Sequence, residues 1–147
     1  MKRLIASDLH GSAHFCRQLL DLYRQEGAEQ LVLLGDLAYS GSYDPRYEYD
    51  PAEVIRLLNP LAEEILWVEG NCDFGVSALS PRFAGHPGYL IDCWEGRTVF
   101  LTHGHLYDAK MGLYRLVCAA RERQADILLF GHTHQPLIDY DDGLHIL

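Results

Sequence analysis

The stretch Leu31-Val32-Leu33-Leu34-Gly35-Asp36 decides how the rest of the chain is read. An apolar run without alternation, of strand length, marks a strand buried on both faces, as in a parallel sheet covered by helices. It stops at Gly-Asp, which delivers one carboxylate to the carboxyl end of a buried strand, the place where ligands collect in such sheets. Gly35 lets another group come close to the backbone. A lone Gly-Asp would be no more than a turn cap. Asp36 takes its meaning from the segments around it.

On the amino-terminal side, Arg3-Leu4-Ile5-Ala6-Ser7 is a short strand that breaks into Asp8-Leu9-His10-Gly11. Ser12 caps a predicted helix through about Glu26, with Phe15, Leu19, Leu22 and Tyr23 as its apolar stripe and Gly27 as its stop. This strand, helix, strand unit predicts a right-handed crossover. On the other side, residues 39–49 form a polar loop with four tyrosines and Arg46, suited either to a substrate or partner or to packing on its own surface. Asp50-Pro51 opens a second helix with Val54, Leu57, Leu58 and Leu61 inward.

Ile65-Leu66-Trp67-Val68-Glu69 is a third strand and breaks into Gly70-Asn71-Cys72-Asp73. Residues 89–94 and 97–102, joined by Glu95-Gly96, read as an antiparallel hairpin whose second strand runs into His103-Gly104-His105. A helix is predicted over 109–124, with Leu113, Leu116, Val117 and Ala120 inward and Gly112 as a local weakness. Ile127-Leu128-Leu129-Phe130 then breaks into Gly131-His132-Thr133-His134, and residues 136–147 read as a last hairpin about Asp141-Asp142-Gly143. No repeat, linker or low-complexity segment divides the chain, so a single α/β domain over 1–147 is expected.

Composition sets limits on function. The 147 residues are 48% apolar and carry a formal charge of -9, which argues against a broad grip on a nucleic acid backbone and favours small substrates. Cys16, Cys72, Cys93 and Cys118 show no paired spacing and read as reduced thiols. No signal peptide precedes the first strand, and no apolar run approaches the ~18 residues of a membrane span. A cytoplasmic protein with no membrane partner is the expectation.

Five strand ends thus offer Asp8 and His10, Asp36, Asn71, His103, and His132 with His134. Alternating residues such as Asp8 and His10 can leave a strand end on one side and bind one ion; His132 and His134 can do the same or split between two ions. Mixed carboxylate, imidazole and carboxamide donors suit borderline divalent metals such as manganese, iron or zinc. Each of these histidines adjoins glycine or a second ligand, which sets them apart from His14, His86 and His145, read as structural, with His105 intermediate.

Asp8-x-His10, Gly35-Asp36, Gly70-Asn71, His103-Gly104-His105 and Gly131-His132-x-His134 resemble the motifs of the calcineurin-like metallophosphoesterase superfamily, in order and over nearly the whole chain. Within it the sequence is similar to the small bacterial and archaeal phosphodiesterases of the YfcE type. The resemblance implies an α/β/β/α sandwich of two mixed sheets flanked by helices. It implies two divalent ions, manganese foremost, with iron, zinc, nickel or magnesium as alternatives. Asp8, His10, Asp36 and His134 would hold one ion; Asp36, Asn71, His103 and His132 would hold the other, with Asp36 bridging. The reaction implied is attack of metal-bridging hydroxide on a small phosphodiester. Asn71, His105 and Asp73 are the catalytic candidates, His105 as a proton donor and Asp73 as the group that orients the Asn71 turn.

The sequence departs from the family pattern in two places. Cys72 stands where many members have histidine, and a thiol is a weaker hydrogen-bond donor, which predicts a preference for esters with good leaving groups. Similar proteins continue with an Asn-Pro-Gly-Ser turn and further strands where this chain ends at Leu147, so the usual last strands are expected to be absent and the last strand to offer an open edge to a second copy. The competing functions are a nucleotide or dinucleoside-polyphosphate hydrolase, and an interaction scaffold of the kind the retromer subunit of this fold provides, in which a degraded metal site is expected.

Overall fold

The computed structural model describes residues 1–38 and 47–147. β1 (Arg3–Ala6), α1 (Ala13–Gln25), β2 (Gln30–Leu33), α2 (Pro51–Leu58), β3 (Ile65–Val68) and β4 (Gly85–His86) build the first half. β5 (Tyr89–Trp94), β6 (Arg97–Thr102), α3 (Tyr114–Glu122), β7 (Ile127–Leu129), β8 (Asp139–Asp141) and β9 (Leu144–Ile146) build the second. One sheet has the order β1-β2-β3-β4 and the other β5-β6-β7-β9-β8.

Period-two alternation explains the layering. In β2, Leu31 and Leu33 pack with Cys16, Leu20 and Tyr23 of α1 and Val54, Ile55 and Leu58 of α2. Val32 and Leu34 point the other way and meet Val99, Leu101 and Leu129 of the second sheet. On the far side of that sheet, Phe100, Leu128, Leu144 and Ile146 pack against Leu116, Ala119 and Ala120 of α3. The result is the expected α/β/β/α sandwich, whose central strands are apolar on both faces because each face is covered.

Several expectations need correction. The first sheet is parallel throughout, not mixed; its strands are joined by crossovers through α1, α2 and residues 69–84, and a crossover returns the chain in the same direction. Only the second sheet mixes parallel and antiparallel pairs. In α1 the buried line is Cys16, Leu20 and Tyr23, while Phe15 and Leu22 are each 42% exposed. The two lines have the same spacing, and the Cys16 thiol counts as an apolar group in choosing between them. The helix predicted over 109–124 is broken at Gly112, whose φ of 137° leaves a short 3-10 turn before α3 starts at Tyr114. The last strand, β9, is not an edge: Leu144 and Ile146 are buried, and it lies between β7 and β8. The edge is β8, where Asp139 and Asp141 place charges that discourage pairing. No helix among the described residues is long and apolar enough to cross a membrane.

Candidate metal centre

The five polar turns leave neighbouring strands on the same end of the sandwich and are laced together by backbone hydrogen bonds. Asp8 N donates to Gly35 O at 3.0 Å, His10 N to Asp36 O at 2.8 Å, and Gly131 N to His103 O at 3.2 Å. Asp8, His10, Asp36, His132 and His134 all have positive φ, between 49° and 70°. Asp8 and His10 therefore share a side because both sit in left-handed turn conformations beyond β1, not because they continue its alternation. His10 Nε2 stands 3.5 Å from Asp8 Oδ1.

Two glycines make the close approach of the turns feasible. A Cβ on Gly70 would stand 2.2 Å from Asp36 Oδ1, and one on Gly35 would stand 2.7 Å from His103 Nδ1. No side chain fits at either place.

Two triads of ligand atoms converge, each within 4.8 Å: Asp8, His10 and His134, and Asp36, His103 and His132. His10 and Cys72 also approach Asp36 within that limit. Asp36 Oδ2 lies 3.2 Å from His103 Nε2 and 3.7 Å from His10 Nε2, so it faces both triads. Its other oxygen accepts the Cys72 backbone N–H at 2.7 Å. His103 is fully buried, and its Nδ1 donates to Leu34 O at 2.7 Å, which leaves Nε2 facing the carboxylate.

The donor set fits divalent cations. Asp8 Oδ1 is buried without a hydrogen-bond partner, although His134 Nε2 stands 3.2 Å away. Ring nitrogens face one another in two pairs, His10 with His134 at 3.1 Å and His103 with His132 at 3.2 Å. Nitrogen pairs at that distance beside carboxylates are what a shared cation organises. The electrostatics agree. Burial pushes the Asp8 carboxyl upward, but the His10 imidazole, the Ser7 hydroxyl, the His103 charge and the His132 amide hold it well below the usual carboxylate range. Burial likewise opposes ionisation of Asp36, and the His103 and Cys72 contacts overcome it. Burial and the neighbouring His103 charge push His132 down to about 4, so its imidazole is neutral at pH 7.

The catalytic candidates take different places. Asp73 is buried, and its carboxylate accepts three backbone N–H groups: Asp36 at 2.8 Å, Leu37 at 2.7 Å and Gly70 at 2.7 Å. It ties the turn after β2 to the turn after β3. Asn71 is exposed on that second turn and donates its amide to Cys72 Sγ at 3.2 Å. Burial, then the Asp36 carboxylate, push the Cys72 thiol up to about 11, so it is protonated at neutral pH. His105 lies beside the site, its ring 5.4 Å from that of His103 and its Nδ1 buried without a partner. Sequence reasoning passed over Ser7, whose hydroxyl stands 2.5 Å from Asp8 Oδ2 and 3.0 Å from Leu34 O; its position next to Asp8 was the available signal. Of the tyrosine loop, residues 39–46 lie outside the described residues, and Tyr47 packs on Phe15 with ring centroids 5.1 Å apart.

Comparison with known proteins agrees with this geometry. The chain is 37% identical over 140 residues to phosphodiesterase YfcE of Escherichia coli K12, covering 95% of this chain and 72% of the relative. The structure of the E. coli phosphoesterase superposes with a TM-score of 0.80 at 33% identity, over 99% of this chain and 77% of the other. Vps29 of Entamoeba histolytica, solved with zinc, shares the fold with a TM-score of 0.69 at 21% identity, over 99% of this chain and 73% of that one. The calcineurin-like phosphoesterase superfamily domain matches residues 1–147. With its five polar turns at one end of an α/β/β/α sandwich and that match along its length, the chain belongs to the calcineurin-like phosphoesterase superfamily.

Proposed function

We propose that the protein is a metal-dependent phosphodiesterase of the cytoplasm that hydrolyses small phosphodiesters with two divalent ions, manganese foremost. The observation that carries the reading is the pair of triads meeting at Asp36. Asp8, His10, Asp36 and His134 hold one ion, and Asp36, Asn71, His103 and His132 hold the other. When bound, the ions supply Lewis acidity toward the phosphoryl oxygens and acidify coordinated water. Asp36 and Asp8 supply the negative charge that the cations require. His103, locked by Leu34 O, keeps one ring nitrogen turned to Asp36. Asp73 sets the two turns that carry Asp36 and Asn71. His105, whose ring lies 5.4 Å from that of His103, is assigned as a hydrogen-bond donor to the leaving oxygen.

Cys72 contributes a weak donor at most, so esters of acidic alcohols are the preferred substrates. Cys72→Ala should retain most activity on an aryl diester; a collapse of activity in a variant that still binds metal would count against this role. A scaffold of the same fold does not need the six converging donors of the two triads. The nucleotide-hydrolase alternative rests on a base stacking on the tyrosine loop, of which residues 39–46 lie outside the described residues, and a comparative substrate panel separates the two readings. Self-association is a separate proposal, and a light-scattering mass of 16.7 kDa would exclude it.

The deciding experiment is hydrolysis of an aryl phosphodiester beside its monoester, in metal-free protein and with manganese added, for wild type and Asp36→Asn. Manganese-dependent diesterase activity that the variant loses supports the reading. A folded protein inactive with every divalent metal refutes it.

A further inference from the structure

Metal-ligating side chains meet in one further combination that the two triads leave unused. His10, Asp36 and Cys72 each bring one ligand atom within 4.8 Å of the other two. His10 Nε2 is 3.7 Å from Asp36 Oδ2, and a tetrahedral ion with bonds of about 2.0–2.3 Å holds its donors roughly 3.3–3.8 Å apart. The sulfur is placed by the turn after β3. Asp73 gathers Gly70 N–H and Asp36 N–H on one oxygen, at 2.7 and 2.8 Å, and the Cys72 amide then donates to Asp36 Oδ1 at 2.7 Å. The thiol is thereby held beside the Asp36 carboxylate, with the Asn71 amide donating to Sγ at 3.2 Å. Cys72 and His10 are half-buried, so a cation from solvent can reach them, while Asp36 lies beneath at 2% exposure.

Donor chemistry separates this set from the triads. Asp8, His10 and His134, like Asp36, His103 and His132, offer only oxygen and nitrogen, whereas the third set includes sulfur, which selects soft cations over manganese. It also takes one residue from each triad, His10 from the first and Asp36 from the second, so a cation seated here leaves neither triad complete. We propose that His10, Asp36 and Cys72 form a thiophilic cation site whose occupation excludes manganese from both triads. The exclusion rests on the two-ion reading above, but ligation by Cys72 does not. On binding, the thiol S–H bond is exchanged for a sulfur–metal bond and the proton passes to solvent. The thiolate and the Asp36 carboxylate then balance the two charges of the cation.

Cadmium alone is the probe. In metal-free protein it should produce an ultraviolet sulfur-to-cadmium charge-transfer band that folded Cys72→Ser lacks and that Cys93→Ser, exposed on β5 outside the cluster, keeps. Direct titrations should show the preference for cadmium over manganese falling about a hundredfold in Cys72→Ser, since a lost ligand costs no less than a lost outer-shell partner. In manganese-loaded protein, cadmium should release manganese, read from the electron paramagnetic resonance of the free ion, and Cys72→Ser should resist that release. No band in the wild type, or a band that survives Cys72→Ser, overturns ligation by Cys72. A band lost in Cys72→Ser while manganese stays bound to the wild type overturns the exclusion. Protein that shows the band but takes up no manganese refutes the two-ion reading and leaves the cysteine site standing.

Discussion

Asp73→Asn is the most informative single change, because it preserves shape and removes one acceptor. The Asp73 carboxylate receives Asp36 N–H and Gly70 N–H on Oδ2 and Leu37 N–H on Oδ1. An asparagine must place its NH₂ at one of the two oxygen positions. The better orientation keeps the carbonyl oxygen on Asp36 and Gly70 and sets the NH₂ against Leu37 N–H, donor facing donor. One charge-assisted hydrogen bond is lost and one buried N–H is left unpaired, at a cost of about 2–4 kcal/mol. The remaining two bonds lose the charge of their acceptor. Urea denaturation should show a lower midpoint with an unchanged slope, since the exposed surface is unaltered. Metal affinity should fall along with stability, because the same carboxylate fixes the turn that presents Asp36. A variant within about 0.5 kcal/mol of wild type that binds manganese normally would refute the argument that Asp73 holds the two turns together.

Other outcomes follow from the same contacts. Gly70→Ala would drive a methyl group to 2.2 Å from Asp36 Oδ1, so circular dichroism should report a folded protein while titration shows metal binding lost. Manganese at about a hundred times its Kd should stabilise the protein by about 2.7 kcal/mol, which for a chain of this length is a rise in Tm of roughly 5–10 °C by differential scanning fluorimetry; Asp8→Asn should reduce that rise. Tyr23→Phe removes the bond that Tyr23 donates to Glu64 at 2.5 Å and should cost about 1 kcal/mol in urea melts at pH 7. Burial, then that carboxylate, push the Tyr23 hydroxyl up to about 12, so folding favours its protonated form. The wild-type advantage over Tyr23→Phe is therefore fully present below pH ~10, the unfolded value, and is lost as pH rises toward 12.

The polar turns that gather at the candidate metal centre were legible in the sequence because each follows a short apolar run and adjoins glycine, a pattern that survives without any knowledge of pairing. What orders those turns was not. Nothing near Asp73 in sequence announces that it serves the backbone of residues 36 and 37, because hydrogen bonds to a backbone over such a separation leave no residue-type signature. The choice of Cys16, Leu20 and Tyr23 over Phe15 and Leu22 in α1 was hidden for a related reason: two stripes of equal period differ only in how they meet β2 and α2. Gly112 carried a readable signal, but only the structure shows it as a break.

The left-handed turns tie these threads together. Asp8, His10, Asp36, His132 and His134 all occupy a region that costs L-residues of order 1–3 kcal/mol each, and aspartate and histidine are among the types that tolerate it best. Such conformations persist only where the surroundings over-determine them, and here the surroundings are identifiable: Asp8 N on Gly35 O, His10 N on Asp36 O, His132 N on Asp8 Oδ2 at 3.0 Å, and Asp73 across residues 36, 37 and 70. The donors are thus aimed by backbone conformation before side-chain rotamers are chosen. Rigid aim of this kind reduces the ordering cost of binding a cation, at the expense of fold stability. It follows that His132→Gly, which removes a donor and also relieves a strained φ of 70°, should lose metal with a smaller stability penalty than deletion of a side chain at an unstrained position.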